Sequence, residues 1–437
     1  MKKRIFLLVM TLIVGLTLVA CAKKEGEIVD FSEVMTQRVE LSVWLDDDTG
    51  DYARALIQAF NNTPDGANIT VIHRHEGSVE SRDRLKTVGP TGGGPDVFQF
   101  PHDHLANAIL EDLVYPLPQS TKAIVDERSH PLGTQIATVQ YDEVTGEYGP
   151  GSNAEEKLYA MPTSIESVGL YYNRALINEA DVPTTMEDLF QKGSIWNEEQ
   201  TEASGLRYLT TSSHFADSYF MQAFYSSFGF RPFGETLDDK NNVGLASPEI
   251  KAALEWFRDD LKPIVSLSDD TGGKGGEFEA GKIPLIIAGP WNIEAYKAAN
   301  IDLGIAQMPT VNGKATQTYA GAIMTAVYKY STKLDAATKF VEFMNSDIAM
   351  ELLYQYKGKL PALKNELLTN ISGVLEDELL MAMSKQLETS IPMPTIPEVQ
   401  HYWGPAENLI KAIWAGTSIE DATKEALEAY NTLSKLS

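Results

Sequence analysis

Apolar and polar positions begin to alternate at Arg38: Val39, Leu41, Val43 and Leu45 occupy every second position, the period of a strand with one covered face. Residues 69–72 and 97–100 repeat the strand signal. Between the first two, Tyr52, Ala55, Leu56, Ala59 and Phe60 share one face of a predicted helix over 51–61, and residues 105–113 have the same spacing. The alternation restarts after Glu166, with a strand over 168–172, a helix over 184–192 and strands over 284–288, 301–306 and 322–328. Ser247-Pro248 predicts a helix start, since a serine hydroxyl accepts from a free backbone N–H and proline has none to lose. Ile250, Ala253, Leu254, Phe257 and Leu261 form its buried stripe. Ser331 is expected to cap a helix carrying Ala336, Phe340, Phe343 and Met344, and the last third reads as mostly helical. Strands alternating with helices predict α/β layers, and 437 residues suggest two domains.

The first 20 residues do not fit this pattern. Lys2, Lys3 and Arg4 precede a run over 5–19 that is apolar apart from Thr11, Gly15 and Thr17, and Leu18-Val19-Ala20-Cys21 follows. This looks like a bacterial lipoprotein signal peptide over 1–20, with Cys21 lipidated as the mature first residue, because the run is short for a membrane span. Residues 21–37 read as a tether. The expected location is the outer face of the cell membrane in a Gram-positive-like cell. Cys21 is the one cysteine, so lipidation leaves no thiol for a disulfide or a nucleophile. A net charge of -25 repels phosphate backbones, and no nucleic-acid partner is expected.

Few motifs promise chemistry. Residues 276–283 read G-E-F-E-A-G-K-I, a phosphate-loop pattern in which Ile283 replaces the magnesium-holding Ser or Thr. Gly272-Gly273-Lys274-Gly275-Gly276 reads as a flexible surface turn. His73/His75 and His102/His104 each carry the two-residue spacing that points imidazoles the same way along a strand, which makes a metal-binding receptor the third reading. Without cysteine or a dense acidic cluster, neither metal nor cofactor is expected. Carboxylates stand beside strand ends, where open α/β sheets place their ligand crevice: Asp46-Asp47-Asp48, Asp103 and Glu166, with Asp217 in a loop or helix start. Trp291, Tyr219 and Trp403 sit at similar breakpoints. Aromatic planes stack on the C–H faces of sugars while carboxylates accept from their hydroxyls, so the combination favours carbohydrate. A secreted glycosidase using two of the acids is the competing class.

From about Arg38 onward the chain resembles maltodextrin-binding proteins, the sugar-binding components of ABC importers. The resemblance rests on an ordered set of motifs: Val43-Trp44-Leu45, Gly92-Gly93-Gly94-Pro95-Asp96-Val97, His102-Asp103-His104, Tyr159-Ala160-Met161-Pro162, Tyr171-Tyr172-Asn173-Arg174, Asp217-Ser218-Tyr219-Phe220, Phe278-Glu279-Ala280-Gly281-Lys282, Ala288-Gly289-Pro290-Trp291, and Pro394-Thr395-Ile396-Pro397 ahead of Trp403. It implies a type II periplasmic-binding-protein-like α/β fold of two discontinuous lobes, 38–164 plus 325–373 and 169–319 plus 378–437, with the ligand cleft between them. It also implies a monomer that performs no covalent chemistry and delivers malto-oligosaccharides, or alternatively cyclodextrin or galacto-oligosaccharides, to an ABC permease. Carried over by position, the implied sugar site is Asp48, Asp103, Glu166, Asp217, Tyr219, Trp291 and Trp403. His104 stands where many relatives have Arg, Thr49 where the best-known maltose binder has Lys, and Glu407 where that protein has Arg. With fewer cationic donors, His104 and Glu407 are expected to alter which hydroxyls are read.

Overall fold

The computed structural model describes residues 38–149, 154–200, 207–265 and 275–435. The signal peptide, Cys21, the tether and Gly272-Gly273-Lys274 lie outside the described residues. Among the described residues no helix is long and apolar enough to cross a membrane.

Twelve strands are formed by the described residues: β1 Val39–Leu45, β2 Ile69–His75, β3 Val97–Pro101, β4 Thr138–Gln140, β5 Glu156–Leu158, β6 Met161–Glu166, β7 Gly169–Asn173, β8 Leu209–Thr211, β9 Leu285–Ala288, β10 Leu303–Ala306, β11 Tyr319–Val327 and β12 Ile391–Pro392. In the first sheet β1 lies between β2 and β3, parallel to both, and β11 runs antiparallel to β3. Both β6, antiparallel, and the short β12, parallel, pair with β11. The second sheet has the order β10-β7-β9-β8, with β7 antiparallel to both neighbours.

Each sheet has its own core. Leu41, Trp44, Phe60, Phe98 and Phe340 belong to the first; Tyr172, Phe215, Phe224, Phe257 and Ile410 belong to the second. Two cores around two sheets make two α/β lobes, and the chain passes between them where β6 meets β7, at the start of β11, and around β12. A buried hydroxyl cluster ties these crossings together. Ser167 Oγ lies 2.6 Å from Thr318 Oγ1 and 2.9 Å from the Tyr319 carbonyl, Ser390 Oγ lies 2.7 Å from Thr318 Oγ1, and the Gln386 amide donates to Thr318 Oγ1 at 3.3 Å. Short polar side chains let three segments run close together while satisfying one another's hydrogen bonds.

Local starts follow the sequence with one correction. The Ser247 hydroxyl accepts the Ile250 N–H at 3.3 Å and opens the helix Pro248–Trp256. Ser331 does not cap Leu334–Phe343, whose N-cap is Lys333. Its hydroxyl instead donates to Asp96 Oδ1 at 2.7 Å, because Asp96 is 7 % exposed and needs donors: Ser42 N at 2.8 Å and Lys333 Nζ at 3.1 Å complete its shell. The helix expected over 184–192 runs further, Met186–Glu199, from a Thr185 cap.

Candidate ligand-binding cleft

A cleft of about 580 Å³ opens where the two sheets face each other across the crossing strands. Asp46, Ser78, His102 and Asp103 line it from the side of β1 and β3; Glu166 and Gly321 lie on the crossings; Asp217, Tyr219, Trp291, Trp403 and Glu407 line it from the second lobe.

The second-lobe wall starts from a helix cap. Asp217 Oδ1 accepts the Tyr219 N–H at 2.9 Å and Oδ2 accepts the Ser213 hydroxyl at 2.7 Å, which fixes the turn that aims Tyr219 at the cleft. The Tyr219 ring lies 6.5 Å from Trp291 and 5.8 Å from Tyr319, and Tyr319 lies 6.2 Å edge-on from Trp403. Tyr219, Trp291 and Trp403 form an aromatic wall, and the buried Tyr319 backs it. Trp291 is 46 % exposed, an unusual exposure for so large an apolar surface. Its indole folds back over Gly289, where an added Cβ would stand 2.2 Å from the ring. Gly289→Ala is therefore expected to expel the indole from its present position, at a strain of about 1–3 kcal/mol if it stayed. Ligand affinity should fall while the melting temperature changes little, as read by calorimetric titration beside thermal unfolding.

Facing this wall are acceptors. Burial chiefly, then Glu166, Asp103 and Asp217, push the Tyr219 phenol pKa well up, so it remains a protonated donor and the three carboxylates converge around it. Glu166 ends β6 opposite Gly321 of β11, and its carboxylate has no hydrogen-bond partner among the described residues. Asp103 Oδ2 accepts from the Gln400 amide at 3.3 Å, linking it to the helix Val399–Ala415 of the second lobe. Glu407 pairs with Lys411 at 2.7 Å and lies 3.7 Å from His214 Nε2, so its charge is partly offset.

Two residues expected in the site are absent from the wall. Asp48 stays on the exposed turn, where its carboxylate accepts the Thr49 N–H at 2.9 Å. The acidic triplet divides its work: Asp47 is buried and accepts the Ala53 N–H at 2.9 Å at the start of helix Asp51–Asn61, and Asp46 reaches the cleft, held by the Ser78 N–H at 3.1 Å and hydroxyl at 2.9 Å. His104 turns toward Arg82, Asp83 and Glu111, and burial lowers its pKa. The strand spacing expected for His102 and His104 fails because they occupy a single 3-10 turn, His102–His104, in which positions two apart point to different sides. His73 Nε2 lies 3.3 Å from the Leu45 carbonyl, and no group of three His, Cys, Asp or Glu among the described residues could hold a metal ion. Helix Gly275–Glu279 takes in Gly275-Gly276 of the expected surface turn and the start of the phosphate-loop-like stretch, and Ile283 is buried.

No pattern along the chain singles out Lys359 or Gly321. Lys359 reaches the cleft because Gly358, at φ 58°, ends helix Asp347–Lys357 in the left-handed region and turns the chain back. Gly321 lies in β11 opposite Glu166.

Two α/β lobes joined by three crossings, with an aromatic wall and open acceptors between them, define a two-lobed binding protein. The model for bacterial extracellular solute-binding proteins matches residues 55–378, and the chain belongs to that family. It is 27% identical over 425 residues to a galactooligosaccharide-binding protein of Bacillus subtilis (strain 168), covering 95% of this chain and 93% of the relative. It is 26% identical over 403 residues to a maltooligosaccharide ABC transporter solute-binding lipoprotein of Streptococcus pneumoniae (strain ATCC BAA-255 / R6), covering 91% and 88%. A solved cyclo/maltodextrin-binding protein complexed with maltotetraose superposes with a TM-score of 0.73 at 25% identity, over 90% of this chain and 96% of that one. MalX from Streptococcus pneumoniae, in complex with maltopentaose, gives 0.75 at 24% identity over 90% and 100%, a likeness of fold.

Proposed function

We propose that this chain is the lipid-anchored binding component of an ABC carbohydrate importer, capturing malto-oligosaccharide-type sugars between its lobes and delivering them to the permease. Cyclodextrin and galacto-oligosaccharides are the alternative ligands for the same role. The observation that carries the reading is the aromatic wall of Trp291, Tyr219 and Trp403, backed by the buried Tyr319, beside Asp46, Asp103, Glu166 and Asp217 in one cleft. Stacking supplies affinity and the acceptors supply orientation. The relatives, which include a galactooligosaccharide-binding protein and a maltooligosaccharide ABC transporter lipoprotein, support both the ligand class and the permease. Lobes of 38–164 plus 325–373 and 169–319 plus 378–437 close by bending at the short segments between them, 165–168, 320–324 and 374–377, and the ligand favours closure to the extent that it binds the closed state better.

The protein is read as a monomer that works with the permease and performs no catalysis. Asp217 is committed to a helix cap and Asp103 to Gln400, which disfavours both as glycosidase carboxylates. Uptake of labelled maltotriose, cyclodextrin and galacto-oligosaccharide by cells with and without the gene tests the importer role: loss of uptake of one sugar on deletion supports it, and unchanged uptake of all three refutes it. Chromatography of the same sugars after incubation with the protein would reveal a hydrolase. Cys21→Ala is expected to move the protein from the membrane fraction to the medium or leave it unprocessed; full membrane retention would point to another anchor.

A further inference from the structure

We propose that His102, at the floor of the cleft, is a neutral hydrogen-bond donor that reads one ligand hydroxyl jointly with Glu166. The inference rests on the oligosaccharide reading above and adds a specificity-determining group to it.

The tautomer follows from geometry. The Ala322 backbone N–H, in β11, donates to His102 Nδ1 at 3.1 Å. Nδ1 must therefore be the lone-pair nitrogen and the proton must sit on Nε2. Burial drives the imidazole pKa down to about 4 against the opposing pull of Asp103, which keeps the ring neutral. His102 is 3 % exposed, it lines the cleft, and its Nε2 has no hydrogen-bond partner. A buried donor left unmade is costly, so a polar group that fills the cleft floor gains by meeting it.

Gly321 marks where such a group would sit. A Cβ built on it would lie 3.5 Å from Glu166 Cγ, 3.5 Å from His102 Cε1 and 3.7 Å from Tyr219 Oη. An unpartnered carboxylate, an imidazole whose Nε2 has no partner and a phenol thus converge on one glycine. A sugar hydroxyl suits this trio, because it donates its proton to Glu166 and offers a lone pair to Nε2–H. A deoxy position would leave both protein groups unmade. A protonated amine would satisfy Glu166 but has no lone pair for the imidazole. The floor of the cleft is accordingly selective for a hydroxyl over hydrogen and over ammonium at one ring position.

Two substitutions separate the roles of the ring nitrogens. His102→Asn keeps an acceptor near Nδ1 for Ala322 and removes the reach of Nε2; His102→Gln places an amide near Nε2 and gives up the Ala322 bond. The full-length protein is titrated by calorimetry with maltotriose, cyclodextrin and a β-1,4-galacto-oligosaccharide, and then with monodeoxy analogues of the tightest. Expected for His102→Asn are an affinity at least about tenfold weaker, a nearly unchanged melting temperature, and lost discrimination against one monodeoxy sugar. His102→Gln should bind better than His102→Asn. Wild-type affinity in His102→Asn overturns the inference while leaving the oligosaccharide reading intact. Should neither variant fold, the wild type alone decides: equal affinity for the parent sugar and every monodeoxy analogue overturns it. A wild type that binds none of the three sugars refutes the oligosaccharide reading and this inference with it.

Discussion

Replacing Trp291 and Trp403 together with alanine is expected to weaken oligosaccharide binding by roughly 30-fold or more, since each large aromatic contributes about 1–3 kcal/mol by the apolar area it covers. The two singles should differ in a second readout. Trp291 is 46 % exposed, with its indole over Gly289 and 6.5 Å from Tyr219, so Trp291→Ala should lower affinity and spare the melting temperature. Trp403 packs against the second core, with Tyr319 at 6.2 Å and Tyr402 at 5.2 Å, so Trp403→Ala should lower both. Calorimetric titration beside thermal unfolding of the three variants separates the cases. Wild-type affinity in the double variant would remove the aromatic wall from the binding site.

The second large effect concerns the lobes. Phe60 is fully buried, with its ring 5.2 Å edge-on from Phe340 and 5.4 Å from Phe343. Phe60→Ala should cost about 3–5 kcal/mol through lost burial and a cavity that its neighbours cannot fill. Phe224, 1 % exposed and 5.4 Å from Trp256, holds the equivalent place in the second core, and Phe224→Ala should cost a similar amount. If each core belongs to its own lobe, the two substitutions lower different transitions in scanning calorimetry, because a chain of two cores need not melt in one step. A single cooperative transition lowered equally by both would mean that the lobes do not unfold separately.

How legible the fold was depends on how each element is buried. β1 carries an alternating face and helix Asp51–Asn61 an apolar stripe, and both were readable. β6 was not: five of its six residues are buried, so no polar face alternates, and Pro162 sits inside it. Helix Ser78–Val88 buries only Ser78, Ser81 and Leu85, too few apolar positions to draw a stripe. In the site, Asp103, Glu166, Asp217, Tyr219, Trp291, Trp403 and Glu407 lie on the cleft wall, and all stand in segments singled out by breakpoint or resemblance. The differences from the expected site are of one kind. Asp46 rather than Asp48, and His102 rather than His104, face the cleft because a turn of a few residues decides which neighbour points inward, and spacing alone carries no record of that turn. Gly321 is invisible for the opposite reason, since what matters there is a missing side chain and the three groups that approach it from distant parts of the chain.

The most direct test of the account is calorimetric titration of the full-length protein with maltotriose, cyclodextrin and a β-1,4-galacto-oligosaccharide, with chromatography of the sugars afterwards. Saturable binding of one sugar per chain with the sugar recovered unchanged is the predicted result. No heat from any of the three, or a shortened sugar, would contradict it.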